Sequence, residues 1–196
     1  MNQFGEQVGR NFPPGLFFWG IVDLPLLVNK LLTYALPMST LTINTRRAAR
    51  DDAEAIATVH DRSWQNAYSG LVPHKALNRM VQRRGAAWWS NAIDRHTVIL
   101  VLEIKNQIVG YATIGRNRVK TLPFDGEIYE IYLLPEYQGV GLGSHLFLSA
   151  MGELKRRSLK SAVVWVLADN NSAIRFYKNA GGRQIAEGKE TFDGKD

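Results

Sequence analysis

The segment Pro135-Glu-Tyr-Gln138-Gly139-Val140-Gly141-Leu142-Gly143-Ser144 lies between an apolar strand-like run ending at Leu133 and a helical pattern carrying Leu142, Leu146, Phe147, Ala150 and Leu154. A strand that passes into a helix through three glycines in five residues leaves backbone N–H groups without intrahelical partners. It also leaves no Cβ between them and a ligand. Such a turn suits an anion. A phosphate loop needs Gly-Lys-Ser/Thr at its end, and none follows. A dinucleotide fingerprint begun at Gly139 and Gly141 needs glycine at position 144, where the chain has Ser144. The spacing that fits is Gln-x-x-Gly-x-Gly, at Gln138, Gly141 and Gly143.

Around this turn the pattern alternates between strands and helices. Leu41–Arg46 alternates as a half-buried strand, and Asp51 or Asp52 caps a helix whose apolar face runs Ala53, Ile56, Ala57, His60, Trp64, Ala67. One further helical stretch carries Leu77, Val81, Ala86, Trp88 and Trp89. Val98–Ile104 and Ile108–Arg116 read as a hairpin turning at Lys105-Asn106, and Glu127–Leu134 reads as another strand. Ala162–Leu167 is a short buried strand. Asn170 and its neighbours open a helix over Ala173–Ala180 that Gly181-Gly182 ends, and Arg183–Phe192 forms a last strand. The order β-α-α-β-β-β-α-β-α-β predicts an α/β (α+β layered) domain with a mixed central sheet flanked by helices.

Composition narrows the chemistry. At 196 residues and 45% apolar, the chain can bury one ordinary core. It has no cysteine, which excludes disulfides, thiolate metal sites and a cysteine nucleophile. The four histidines, at 60, 74, 96 and 145, lack metal-ligand spacing, so no metal is expected, and His60 reads as a core-edge residue. A formal charge of +6 favours anionic partners without choosing among them. Lys155-Arg156-Arg157 with Lys160 falls at a helix end, where cations suit the dipole, so nucleic acid is not expected.

Gln138-x-x-Gly141-x-Gly143, the strand Glu127-Ile-Tyr-Glu130-Ile-Tyr-Leu133 before it, and Asn170-x-x-Ala173-x-x-Phe176-Tyr177-x-x-x-Gly181 together resemble the GNAT superfamily of N-acetyltransferases, in element order from about Thr40 to Phe192. The resemblance implies the acyl-CoA N-acyltransferase fold, acetyl-CoA as co-substrate, and direct acetyl transfer to a primary amine of a small molecule or protein. An amine with a pKa of about 10 is protonated at neutral pH, so a general base is required. Glu127 matches the family's catalytic glutamate. Glu130 lies on the opposite face if the strand is regular. Tyr177 matches the tyrosine that returns a proton to the departing thiolate; a core aromatic beside Phe176 is the alternative. Gln138, Gly139, Val140, Gly141, Gly143 and Ser144 are implied to hold the pyrophosphate, and the main chain of Ile131 to Leu133 to pair with pantetheine. Asn170 is implied to touch the cofactor arm, and an N-cap explains it equally well. The acceptor is expected near Ser63–Leu71, where Trp64 and Tyr68 offer ring faces to a cation, although helix spacing assigns Trp64 to the core.

Two departures from the family shape the expectations. Residues 1–37 form an apolar leader, interrupted by Asp23, Pro25 and Lys30, that reads as a peripheral membrane-surface segment, a docked helix, or sequence upstream of a true start at Met38. The acetyltransferase domain is then 38–196. The family also turns at a segment like Phe192-Asp193-Gly194-Lys195 and returns as a strand between the sheet's fifth and sixth. With that final strand missing, an unpaired edge or a gap beside the acceptor site is expected, with low stability or a rearranged C-terminal edge. The competing reading is a coenzyme A-binding module that is weak or inactive as a catalyst and acts through interaction. A cytoplasmic location and an amine acceptor as partner are expected; a homodimer and a membrane-surface contact through the leader stay open.

Overall fold

The computed structural model describes residues 17–21 and 42–189. A seven-stranded sheet has the order β2-β3-β4-β5-β6-β1-β7. Its strands are β1 (Phe17–Ile21), β2 (Ile43–Arg47), β3 (Val98–Ile104), β4 (Gln107–Arg116), β5 (Gly126–Leu133), β6 (Ala162–Leu167) and β7 (Gln184–Lys189). Helices α1 (Ala53–Tyr68), α2 (His74–Gln82), α3 (Ala86–Asp94), α4 (Leu142–Arg156) and α5 (Asn171–Asn179) complete it. Every neighbouring pair is antiparallel except β5 and β6. The mixed sheet expected from the sequence is present.

The helices follow their apolar spacing. α1 buries Ala53, Ile56, Val59, His60, Ser63, Trp64 and Tyr68, a stripe three and four residues apart. It packs on α3 and β4, while α4 lies on β3, β4 and β5. The expected single helical stretch after Pro73 is two helices. Gly85, extended at φ −69° and ψ 178°, breaks it and is the N-cap of α3. Glycine's low helix propensity favours a break there, and the two helices pack into different clusters, Leu77 and Val81 with Trp64 and Tyr68, Trp89 with the larger core. Lys105 and Asn106, both at positive φ (49° and 62°), make the expected hairpin turn between β3 and β4. Asp52 is not a side-chain cap for α1; its carboxylate accepts from Arg46 at 2.6 and 2.9 Å and from the Ala49 N–H at 2.6 Å.

No gap separates β6 from β7. β1 lies between them, antiparallel to both, where an unpaired edge was expected. The rest of the leader and the expected turn at Phe192–Lys195 lie outside the described residues. Among the described residues, no helix is long and apolar enough to cross a membrane.

Candidate active site

β5 and β6 pair over only three positions, Gly126–Ala162, Glu127–Val163 and Ile128–Val164. Beyond Ile128 the two strands part, which opens a cleft between Tyr129–Leu133 and Trp165–Leu167. The Leu134 N–H bonds the Val109 carbonyl at 2.9 Å. From that pair, the antiparallel alternation turns the N–H and C=O groups of Ile131 and Leu133 away from β4, into this cleft. The Leu133 carbonyl accepts from Ser63 Oγ at 2.9 Å and Gln138 Nε2 at 3.0 Å. Gln138 therefore ties the loop to the strand end through its side chain.

The glycine turn closes the same end of the cleft. Gly139 and Gly141 sit at φ +78° and +88°, and Gly141 is the N-cap of α4. The first helical bond runs from the His145 N–H to the Gly141 carbonyl at 3.1 Å. From Gly139 through Ser144 the N–H groups have no hydrogen-bond acceptor among the described residues. Val140 stands 68% exposed at the turn. A row of free donors at a helix N-terminus fits a pyrophosphate without further machinery. Asn170 Oδ1 accepts from the Ala173 N–H at 3.1 Å, so its oxygen serves as the N-cap of α5.

Glu127 and Glu130 share one face of β5. Ile114 pairs with Ile128 and the adjacent Thr113 pairs with Glu130, so Tyr129 is an extra residue in the ladder. This bulge reverses the alternation and corrects the expectation of opposite faces. Each carboxylate has an arginine. Glu127 is wholly buried and accepts from the Arg118 backbone N–H at 2.9 Å, from Nε at 3.1 Å and from Nη2 at 2.5 Å. Glu130 pairs with Arg84 and accepts from the Tyr111 hydroxyl at 3.0 Å. The Arg84 guanidinium lies 5.8, 4.7 and 5.9 Å from the rings of Trp64, Trp88 and Trp89.

Tyr68, Tyr111 and Tyr132 gather around Glu130. The Tyr68 and Tyr132 hydroxyls bond at 2.6 Å. Tyr177 is 6% exposed and packs its ring against Phe147 and Phe176 at 6.0 and 5.0 Å. Burial pushes the Tyr177 phenol well above its usual range, with Tyr68 adding to the rise. His60, expected at the core edge, is wholly buried, and its Nδ1 lies 2.8 Å from the Tyr111 hydroxyl. Since Tyr111 donates to Glu130, His60 Nδ1 donates to Tyr111. Desolvation lowers its pKa to about 4. Trp64 is in the core, and the cation against its face is the chain's own Arg84.

Sequence reasoning did not identify Arg84, Arg118 or Tyr111, nor the side-chain bonds of Ser63 and Tyr132 inside segments it did single out. Tyr132 had a signal, two residues beyond Glu130 on a strand. The arginines lie in loops, where spacing says nothing about direction.

Residues 54–181 match the family described as the acetyltransferase (GNAT) family. The chain belongs to that family. This acetyltransferase is 31% identical over 145 residues to the uncharacterized N-acetyltransferase YuaI of Bacillus subtilis, covering 74% of this chain and 83% of that one. It is 23% identical over 142 residues to a spermidine N(1)-acetyltransferase of Thermoplasma acidophilum, covering 72% and 88%. The acetyltransferase also shares its fold with the crystal structure of the paia N-acetyltransferase of Thermoplasma acidophilum in complex with coenzyme A. That match has a TM-score of 0.64 at 21% identity and covers 76% of this chain and 99% of that one.

Proposed function

We propose that this acetyltransferase moves an acetyl group from acetyl-CoA to a primary amine by direct attack while both are bound. The observation that carries the reading is the row of N–H groups from Gly139 to Ser144 that have no acceptor among the described residues, set beside strands that part after Ile128. Those donors hold the pyrophosphate, and the outward backbone of Ile131 and Leu133 pairs with the pantetheine amides. Bound acetyl-CoA supplies the activated acetyl group and a thiol leaving group.

The chain's own residues handle the protons. Glu127 takes the proton of the attacking amine. Arg118 covers it and binds Oε1 with two side-chain N–H groups, whereas among the described residues Oε2 accepts only the Arg118 backbone N–H. The proton therefore arrives at Oε2, relayed through water because the carboxylate is enclosed. Tyr177 gives its phenolic proton to the sulfur as the C–S bond breaks. Burial favours the protonated phenol, the form that can donate. Glu130, held by Arg84 and Tyr111, sets a fixed negative charge on the same face of β5.

Calorimetry with coenzyme A, followed by acetyl transfer to a panel of spermidine, amino sugars and peptide N-termini, tests this reading. Glu127→Gln is expected to lower kcat/KM by about 10²–10³-fold with coenzyme A affinity unchanged. Tyr177→Phe should lower kcat more than it raises KM. A protein that binds no coenzyme A refutes the reading, and one that binds it but transfers to no amine is the interaction module instead.

A further inference from the structure

β6 has two edges, and they are treated differently. Toward β5 it pairs only over Ala162–Val164, and beyond Val164 β5 no longer runs alongside it. On the other edge, β1 pairs with Val164 to Leu167, with Ile21 opposite Val164 and Phe18 opposite Leu167. β1 in turn carries β7 on its far side, from Phe17 opposite Lys189 to Ile21 opposite Gln184. Among the described residues β7 has no other strand neighbour. β1 is thus an interior strand, and its removal would strip two rows of N–H and C=O groups of their partners.

The local sequence suits an interior position. Phe17-Phe18-Trp19-Gly20-Ile21 is uncharged and rich in aromatic and β-branched residues, within the uncharged stretch between Arg10 and Asp23. The connection is also long enough. In the sheet β1 and β2 are five strand spacings apart, about 24 Å. Residues 22–42 reach up to about 70 Å when extended, so a single chain supplies both strands.

We infer that residues 17–21 are a working part of the acetyltransferase, a brace that holds the β6 wall of the cleft and anchors β7. A chain begun at Met38 lacks this brace, leaving Trp165–Leu167 without a strand on either side.

The absence of cysteine makes the register directly measurable. Trp19→Cys with Val166→Cys joins residues opposed across β1 and β6, and mild oxidation should link them. Trp19→Cys with Trp165→Cys is one step out of register and should not link. In the unaltered full chain, amide hydrogens of 17–21 should exchange as slowly as those of 164–167. A chain begun at Met38 should bind coenzyme A at least tenfold more weakly, with recovery on adding a synthetic peptide of residues 13–25. The inference is overturned if the first pair fails to link, or if 17–21 exchange at unstructured rates while 164–167 stay protected. It is also overturned if the Met38 chain binds coenzyme A as tightly as the full chain. The crosslinking and exchange readouts do not depend on acetyl transfer and so fail separately from it.

Discussion

Arg84 and Glu130 are about nine-tenths buried, with side chains 10% and 9% exposed. A pair so enclosed contributes little net stability over an apolar pair, but half of it is costly to leave behind. Arg84→Met should therefore cost about 3–5 kcal/mol in urea unfolding, and adding Glu130→Gln should recover most of that loss. His60 makes an opposite demand on pH. Its folded pKa is about 4, lowered first by burial, raised somewhat by Glu130 and lowered by Arg84. Unfolded, it titrates near 6.5. Between those values the unfolded state binds the extra proton, so stability is full above about 6.5 and falls as pH drops toward 4, by about 1.4 kcal/mol per unit. Unfolding free energies of wild type and His60→Gln across that window check this, since the variant should lose the slope. A histidine on the apolar stripe of α1 was legible from spacing. Its bond to Tyr111 was not, because the partner is 51 residues away.

Strand periodicity located β5 and its carboxylates but not their faces, because one extra residue at Tyr129 reverses everything after it and alternation carries no mark of a bulge. The glycine turn was legible in full, since only glycine occupies φ near +80° twice in three residues without strain. Gly110 on β4 has a different reason to be glycine. A Cβ there would meet the Leu133 side chain and lie 2.9 Å from the Tyr132 carbonyl oxygen, on the strand that forms the cleft. Gly110→Ala should cost about 2–3 kcal/mol by forcing β4 and β5 apart, a backbone shift of the kind that overpacking produces. Gly152 on α4 has no atom within 4 Å of the same position, so Gly152→Ala should stabilise by about 0.5–1 kcal/mol through helix propensity alone. Thermal or urea unfolding of both variants separates a glycine that makes room from one that only costs entropy.

The proposed pyrophosphate site lies where three elements end together: β5 at Leu133, the loop tied back by Gln138, and the first turn of α4. The core extends from the large cluster under α4 to a smaller one of Trp64, Tyr68, Val72, Leu77, Val81, Val119 and Leu167. The cleft runs between strands that the sheet joins only at their Gly126–Ile128 end. Element order revealed this architecture from the sequence. The placement of β1 did not emerge, because five apolar residues in a leader carry no sign of which distant edge they will pair with. A ligand that bridges the parted strands binds the folded chain alone, so its affinity adds directly to stability. Coenzyme A at 100 times its Kd should add about 2.7 kcal/mol, or about 5–10 °C in Tm for a domain of this size. Its amide protection should concentrate at Gly139–Ser144 and at Ile131 and Leu133, since those groups have donors free or turned into the cleft. Gly141→Ala, strained at φ +88°, should lose about 1 kcal/mol of intrinsic stability and most of the ligand-induced rise. A rise in Tm that leaves exchange at residues 139–144 unchanged would place the nucleotide elsewhere and separate the glycine turn from its assigned role.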